Sequence, residues 1–357
     1  MTPFIIMIAV PAFASLILNR KTENIKQQTK HKVSVIIFFT ILLAILMLRH
    51  EDIGIDLKNY LSTFSAMDNY SFSQAFERFD YFEPGFTALT KIIAEITNRE
   101  QLFVAIIALI SVIPLASLYS KNSENALLTI AMFIIMPNFT MLFSGLRQVI
   151  AMAFVAISYK FAKEKKLLWF LVIVTIAMLF HKSAFIAFLL YPIYHMNINR
   201  VKILVATPVI GLIFIFNKPI FEFLLQFIND YYDYSYSETG AYTMIVLFAL
   251  YVVFSYISPD DQNMDKETIG LRNLAVMTVI LQIFALASPV AMRMNLYYTM
   301  FLPLLIPKII NRASQRNKRI FKIVGIVMTI FFIAYYLYGV SSGESALKIY
   351  PYKFFWQ

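Results

Sequence analysis

Apolar runs of about sixteen to twenty residues recur along the whole chain and constrain its fold more than any other feature. A run of this length is long enough to cross a hydrocarbon core of about 30 Å as an α-helix. The chain has 357 residues, of which 59% are hydrophobic and only 15% charged, whereas a soluble domain of that length would expose far more charge. We therefore predict an all-α, polytopic integral membrane protein with no separate soluble domain.

About twelve runs qualify as transmembrane helices and predict a single transmembrane domain over residues 1–357. They lie near residues 3–18, 33–48, 101–119, 125–143, 147–162, 167–180, 183–195, 203–217, 241–257, 272–288, 295–310 and 321–339. The first run lacks a basic start and a small-residue cleavage site, so we interpret it as a span and not as a removed signal. The runs at 167–180 and 183–195 are short, and the alternative is that together they form a re-entrant hairpin.

The basic residues indicate the orientation, because short cytoplasmic loops carry an excess of lysine and arginine. Most of the 31 lysines and arginines lie in loops that alternate onto one side of the membrane, namely residues 19–32, 120–124, 158–166, 196–202, 258–272 and 308–322. We assign this side to the cytoplasm, which puts both termini outside. The net charge of +10 therefore arises in loops between spans, and we expect no nucleic-acid partner.

Two outer loops follow from this topology. Residues 49–100 form the longest polar interval of the chain and contain acids, an arginine and tyrosines. Residues 218–240 form the second outer loop, with a dense group of tyrosines and aspartates. Tyrosines at a membrane interface usually belong to the aromatic belt, and the alternative is a surface on which sugar rings stack.

The first outer loop contains two predicted helices. Ser71 and Gln74 have the spacing of a capping box, which predicts a short helix after them. Pro84 suits the first position of a second, amphipathic helix, with Lys91 and Glu95 four positions apart on its polar face. We expect this second helix to lie on the membrane surface with its apolar side down.

Polar residues recur at the outer ends of the spans. Arg147 opens the fifth span after Gly145, with Gln148 beside it. A planar fork of donors at a helix N-terminus, with free backbone N–H groups, suits phosphate, and the glycine lets a ligand approach the backbone. The alternative is an interfacial arginine whose side chain extends to water.

Other cations lie at the same predicted side. His181 and Lys182 separate two apolar runs, where Lys182 would neutralise phosphate and His181 would donate to it or carry a proton. The alternative is a turn between two spans with ordinary interfacial polar groups. The residues that we expect to bind substrate are Arg49, Tyr60, Arg147, Gln148, Lys182 and Arg293.

Two carboxylates of the first outer loop, Asp56 and Glu83, are candidate catalytic bases. We favour Asp56. A carboxylate near several cations normally ionises and pairs with them, so the alternative for each is a salt bridge, which for Asp56 would involve Arg49 or Lys58. Glu83 precedes Pro84, and a further alternative is that it caps the following helix.

The residue types exclude several kinds of chemistry. The absence of cysteine rules out disulfides, thiolate catalysis and cysteine metal sites. The four histidines are scattered, no acidic triplet would hold a divalent ion, and the sequence has no P-loop. We therefore expect no metal and no cofactor, with cations stabilising a pyrophosphate leaving group directly.

Four short motifs, in this order, resemble the EpsG family of bacterial polysaccharide polymerases. They are Leu48-Arg49 with Ile53-Gly54-Ile55-Asp56 and Tyr60, then Glu83-Pro84-Gly85-Phe86, then Ser144-Gly145-Leu146-Arg147-Gln148-Val149-Ile150-Ala151, and finally Phe180-His181-Lys182-Ser183-Ala184. The resemblance covers roughly residues 35–300. One departure is Ile55, where the family often has threonine, so the hydroxyl expected beside Asp56 is missing.

The resemblance implies a Wzy-type polymerase for capsule, exopolysaccharide or O-antigen, with an architecture similar to C-type glycosyltransferases. Such an enzyme moves a growing glycan from undecaprenyl pyrophosphate to the non-reducing end of an incoming lipid-linked repeat unit. The reaction takes place at the outer face of the bacterial cytoplasmic (inner) membrane. The implied partners are the undecaprenyl-pyrophosphate-linked oligosaccharide, membrane lipid, and a flippase and chain-length regulator of the same pathway.

On this interpretation Asp56 is the general base, with Glu83 or His181 in reserve. The residues that would hold the donor pyrophosphate are Arg147, Lys182, Arg293 and Arg49. The enzymatic alternatives are a C-type glycosyltransferase that adds one sugar, or an O-antigen ligase. The non-enzymatic alternative is a lipid-linked oligosaccharide flippase, although transport would favour polar groups near the midplane and inverted repeats.

Overall fold

The computed structural model describes residues 2–21, 26–226, 241–257, 264–312, 319–320, 323–327, 330, 334 and 348–357. These residues form helices and connecting turns, with no strand among them. The α-helices are α1 (Thr2–Lys21), α2 (Gln27–Met47), α3 (Leu57–Ala66), α4 (Phe72–Arg78), α5 (Pro84–Ile96), α6 (Glu100–Asn122), α7 (Ala126–Ile135), α8 (Pro137–Met141), α9 (Leu146–Lys163), α10 (Leu167–Met178), α11 (Leu190–His195), α12 (Arg200–Ile215), α13 (Asn217–Leu225), α14 (Ala241–Ile257), α15 (Lys266–Phe284), α16 (Pro289–Thr299) and α17 (Leu302–Arg312). Two 3-10 helices cover Met67–Asn69 and Lys182–Leu189.

The chain divides into two compact units. The first comprises Met1–Phe185 with Thr329–Gln357, and the second comprises Ile186–Met328. In the first unit α2 packs against α1, α6 and α7, while α9 packs against α6 and α10. In the second unit α15 is central and packs against α11, α14, α16 and α17. The single transmembrane domain over residues 1–357 stays a prediction.

Three helices of the described chain, α2, α6 and α15, are long and apolar enough to cross a membrane. The helices α12 and α13 qualify together, but the chain bends by 81° between them. These helices agree with the prediction of an all-α membrane protein. Twelve spans are not confirmed.

Some predicted spans are divided in the structure. The run at 125–143 forms α7 and α8, which meet at Met136 because Pro137 cannot donate the backbone hydrogen bond that would continue α7. The run at 183–195 is not one α-helix but a 3-10 helix followed by α11. The run at 295–310 is shared between α16 and α17.

Two other predicted segments lie partly outside the described residues. Much of the run at 321–339 falls there, and so do residues 227–240 of the second outer loop with their tyrosines. The described beginning of that loop is α13, a short helix.

Both helix starts predicted in the first outer loop are confirmed. The Gln74 N–H donates to Ser71 Oγ (3.4 Å), and the Ser71 N–H donates to Gln74 Oε1 (2.9 Å), which completes the capping box of α4. Pro84 begins α5, where its fixed φ suits the first helical turn. These local sequence signals are sufficient to predict where each helix begins, because each involves residues within one turn of the helix.

Part of the apolar side of α5 packs against protein, whereas Ile96 at its end is 75% exposed. The position of this helix on the membrane surface stays a prediction. Phe86 and Ile93 are buried in a core cluster with residues of α3, α6 and α9. Burial of each such side chain contributes on the order of 2 kcal/mol. Lys91 is buried as well, because its ammonium donates to Met67 O (3.2 Å) and pairs with Glu95 (2.5 Å). The predicted pair of Lys91 and Glu95 therefore forms, with the Lys91 side chain itself buried.

The C-terminal segment, residues 348–357, packs along the start of the first outer loop. The His50 N–H donates to Lys353 O (3.0 Å), and the Phe355 N–H donates to Leu48 O (2.9 Å). Gly54 has φ +97°, and a Cβ on it would lie 1.8 Å from Phe143 O, so only glycine fits here. Residues about three hundred positions apart thus pack together at the start of the first outer loop.

Candidate functional site

Glu83 joins three separate segments of the first unit. It occupies the N-cap position of α5, but its carboxylate makes no capping hydrogen bond, so the capping interpretation was wrong. Glu83 Oε2 accepts from Arg147 Nη1 (2.5 Å), and Oε1 lies 2.9 Å from His181 Nδ1. The same Oε1 accepts from the Lys182 N–H (3.1 Å). A buried carboxylate, 5% exposed, therefore ties the loop to α9 and to the turn after α10.

Gly85 allows this close approach. Its N–H donates to Leu179 O (2.8 Å), two residues before His181. A Cβ on Gly85 would lie 2.7 Å from the same oxygen, which is closer than real Cβ contacts allow. The Glu83-Pro84-Gly85 motif therefore supplies the charge, the helix start and the room for the neighbouring backbone.

The environment of Glu83 keeps it ionised. Burial by itself raises the pKa of the carboxyl, but hydrogen bonds and charge from His181 and Arg147, with the Lys182 N–H, outweigh burial and lower the pKa from 4.5 to about 2. A carboxylate with such a low pKa, and with both oxygens already bonded, is a poor proton acceptor at neutral pH. In the geometry observed, Glu83 orients its neighbours.

Arg147 is fixed on three sides. Besides the bond to Glu83, its Nε donates to Tyr60 Oη (3.4 Å), and its guanidinium lies 4.8 Å from the centre of the Phe82 ring. Tyr60 stacks near Phe82 and meets Phe86 edge to face, so these rings form a rigid wall beside the cation. The side chain is 21% exposed, and its Nη2 group makes no hydrogen bond to the part of the chain described here. Arg147 therefore has donors available to a ligand.

Asp56 occupies a different position from Glu83. It precedes α3, is half-buried, and its Oδ2 accepts from Ser144 Oγ (2.8 Å). The predicted salt bridge to Arg49 or Lys58 does not occur, since within the described residues Lys58 pairs with Asp52 (2.6 Å) and Glu51 (3.4 Å). Ser144, which bonds to Asp56, comes three residues before Arg147, which bonds to Glu83. The short segment Ser144–Arg147 therefore links the two carboxylates.

Arg49 contacts another part of the first unit. It is buried, its Nη1 donates to Leu142 O (3.1 Å), and its guanidinium lies 5.9 Å from the centre of the Phe143 ring. Arg49 also forms an isolated β-bridge with Phe354 of the C-terminal segment. These contacts hold Arg49 in the packing of the loop, and its role as a pyrophosphate ligand stays a prediction.

The remaining predicted ligands are distributed unevenly. Gln148 follows Arg147 on α9 and is buried. Lys182 contributes its backbone N–H to Glu83, and its side chain is exposed. Arg293 lies on α16 in the second unit and is half-buried. The first unit thus brings together Tyr60, Glu83, Arg147, His181 and Lys182.

Three features escaped the sequence reasoning. Ser144 is the hydrogen-bond donor to Asp56, and Phe82 forms the aromatic face under Arg147. The C-terminal segment borders the loop that carries Asp56, and a dense aromatic group, Tyr350 to Trp356, is the signal that it packs on the protein. A cavity of about 350 Å³ lies between the C-terminal segment and the first outer loop. Its lining consists of residues 51–55 and Lys58 from the loop and Lys348, Tyr350, Pro351 and Lys353 from the segment.

Within the described ranges no group of three or more His, Cys, Asp or Glu side chains could hold a metal ion. A model of the EpsG family matches residues 32–354. The match extends to the C-terminal segment, further than the motifs alone reach. Neither the curated proteins nor the solved structures contain a match to this chain.

Proposed function

Since this chain belongs to the EpsG family, we propose that it is a membrane-embedded polysaccharide polymerase. In this proposal it transfers a growing glycan from undecaprenyl pyrophosphate to the non-reducing end of an incoming lipid-linked repeat unit, at the outer face of the cytoplasmic membrane. The observation that carries the proposal is the short segment Ser144–Arg147: Ser144 donates to the carboxylate of Asp56, and three residues later Arg147 is oriented by Glu83.

Arg147 is the proposed ligand of the donor pyrophosphate. Glu83, Tyr60 and Phe82 hold its guanidinium in one orientation, so little rotational freedom is lost when an anion binds. Its Nη2 donors suit a phosphate oxygen whose negative charge grows as the glycosidic bond breaks. The exposed ammonium of Lys182 is the second proposed cation of this site.

Asp56 is the proposed general base. The acceptor hydroxyl oxygen attacks the anomeric carbon, the carbon–oxygen bond to pyrophosphate breaks, and the lipid pyrophosphate leaves with the bonding electron pair. The hydroxyl proton passes to a carboxylate oxygen of Asp56, which the Ser144 hydroxyl orients. The cavity lined by Ile55, Lys58 and the C-terminal segment is the proposed place for the acceptor sugars.

Glu83 and His181 are proposed as positioning residues. Glu83 is ionised and bonded at both oxygens, and His181 Nδ1 lies against it. To donate to the carboxylate, His181 must carry its hydrogen on Nδ1, which fixes the tautomer of the neutral ring. The geometry therefore supports Asp56 as the general base, and it supports Glu83 as the residue that orients the Arg147 guanidinium.

The test is glycan synthesis by the purified full-length chain from a lipid-linked repeat unit. A ladder of products spaced by one repeat unit is expected. Asp56→Asn keeps the shape of the side chain but cannot take a proton, so it should abolish the ladder without changing donor binding or the melting temperature. Asp80→Asn, the same change at an exposed site of the same loop, is the control and should leave the ladder intact.

Other results would contradict the proposal. A full ladder from Asp56→Asn would remove Asp56 from the mechanism. Addition of one sugar only would indicate a C-type glycosyltransferase, and transfer to an acceptor without a lipid carrier would indicate a ligase. Movement of a labelled lipid-linked unit across liposomes, with no new glycosidic bond, would indicate a flippase.

A further inference from the structure

A second cavity, of about 410 Å³, lies between α6 and α9 at the far end of α9 from Arg147. Arg147 stands in the first turn of α9 and Lys163 ends the helix, so the two ends are separated by about 24 Å along its axis. The cavity lies in the first unit at the end that the charge distribution predicts to be cytoplasmic. The proposed transfer reaction uses none of its residues.

The charge of this cavity is positive. Lys121 comes from the end of α6, and Lys160 and Lys163 come from the last turn of α9. Glu164 is the one acid among the residues that line it, and it pairs with Lys166 (2.6 Å), which lies outside the lining. The distance from Glu164 to Lys160 is longer, 3.9 Å. Three lysines and one acid therefore line the cavity, a net positive charge, and the acid makes its shorter ion pair with a lysine outside the lining.

The C-terminal ends of two helices disfavour anion binding at this cavity, so the positive charge of the lysines must exceed their partial negative charge. Both α6 and α9 end at the cavity, and a helix C-terminus carries roughly half a negative charge. Three full positive charges exceed this contribution. Lys163 is also positioned, because its ammonium donates to Asn122 Oδ1 (2.8 Å) and lies 5.5 Å from the centre of the Tyr159 ring.

One wall of the cavity is apolar. It is formed by Pro114 and Leu118 of α6 and by Ala156 and Ile157 of α9. Ile157 is 38% exposed, and Ile113 next to Pro114 is 57% exposed. Ile113 lies on α6, which is long and apolar enough to cross a membrane, and an apolar side chain exposed on such a span faces lipid chains. The site therefore offers cations at the membrane interface and an apolar path that leads away from them.

We propose that this cavity binds an anionic glycerophospholipid, with its phosphodiester on Lys121, Lys160 and Lys163 and an acyl chain along Ile157 and Ile113. Basic pockets between transmembrane helices are suited to lipid headgroups. A free phosphate ion would use the lysines alone and would gain nothing from the apolar wall. The proposal stands apart from the transfer reaction, because it concerns the other end of α9.

The experiment is lipid retention by the purified full-length chain, measured by native mass spectrometry during titration with phosphatidylglycerol or phosphatidylcholine. The wild-type chain should retain phosphatidylglycerol preferentially and gain thermal stability from it. The triple variant K121Q/K160Q/K163Q should bind phosphatidylglycerol on the order of a hundredfold more weakly, since each lysine at a membrane surface contributes modestly and the three act together. Ser117→Trp, which fills the cavity and keeps every charge, should weaken retention as well.

Lys32→Gln is the matched control, because Lys32 is an exposed lysine of α2 that does not line the cavity. It should retain the lipid as the wild type does. Equal retention by the triple variant and the wild type, or equal retention of both lipids by the wild type, would overturn the proposal. Inorganic phosphate that reproduces the full stabilisation at the same concentration would also overturn it, since it would identify an ion site.

Discussion

Replacement of Glu83 by glutamine separates a positioning role from a catalytic one. The substitution keeps the size of the side chain and removes its charge. In the structure that charge faces Arg147 Nη1 at 2.5 Å and His181 Nδ1 at 2.9 Å. The glutamine amide can accept from only one of these groups, and its NH₂ then faces a donor. We expect Glu83→Gln to destabilise the protein and, through a misplaced Arg147, to slow glycan transfer.

Two arguments give a similar magnitude for this loss of stability. The pKa of Glu83 falls from 4.5 to about 2, and at 1.36 kcal/mol per unit this corresponds to about 3 kcal/mol of differential interaction. Removal of one partner from a buried ion pair costs about 3–5 kcal/mol. Because Arg147 is 21% exposed, water solvates part of the remaining charge, and the lower end of that range applies.

The assay is thermal unfolding of the purified chain in detergent, run beside glycan synthesis. Glu77→Gln, the same substitution at an exposed position of α4, is the control and should leave both readings unchanged. The double variant Glu83→Gln/Arg147→Met should regain part of the stability, because no unpaired charge remains. A melting temperature for Glu83→Gln equal to that of the control, with synthesis abolished, would refute the positioning role and make Glu83 a direct participant.

Three other outcomes are expected. Arg147→Lys keeps the charge but loses the planar fork, so the initial rate of glycan synthesis should fall on the order of a hundredfold in a folded protein; an unchanged rate would make Arg147 a structural cation. Gly54→Ala should greatly reduce the yield of folded protein, whereas Gly211→Ala, with nothing within 4 Å, should not. The lowered pKa of Glu83 means that its stabilisation is complete above about 4.5 and is lost as the pH falls toward 2. The melting temperature of the wild type should therefore drop more steeply over that range than that of Glu83→Gln.

The sequence predicted the local features of the first outer loop correctly. The capping box of Ser71 and Gln74 and the helix start at Pro84 both occur as expected. Each depends on residues a few positions apart, so that backbone geometry alone decides it. The motifs also indicated which polar residues would gather, since Glu83, Arg147 and His181 meet in the structure.

The sequence could not assign partners within that group. Asp56 was expected to pair with Arg49 or Lys58 if it was not the base, yet its partner is the Ser144 hydroxyl. Nothing in the sequence indicated that Arg49 would donate to Leu142 O. All of these residues are polar and lie at the ends of apolar runs. Residue type alone therefore does not predict which of them form hydrogen bonds or ion pairs with each other.

Apolar length and periodicity by themselves determined that the chain is helical and that α2, α6 and α15 are long enough to cross a membrane, because a helix satisfies its backbone hydrogen bonds within one segment. Tertiary structure alone decided that Glu83 pairs with a residue 64 positions away on α9, and that the C-terminal segment packs on residues 48–54. It also decided that Lys91 is buried. The physical reason is that an ion pair or a buried amine depends on which helix faces lie together, and that is set by side-chain packing between distant parts of the chain.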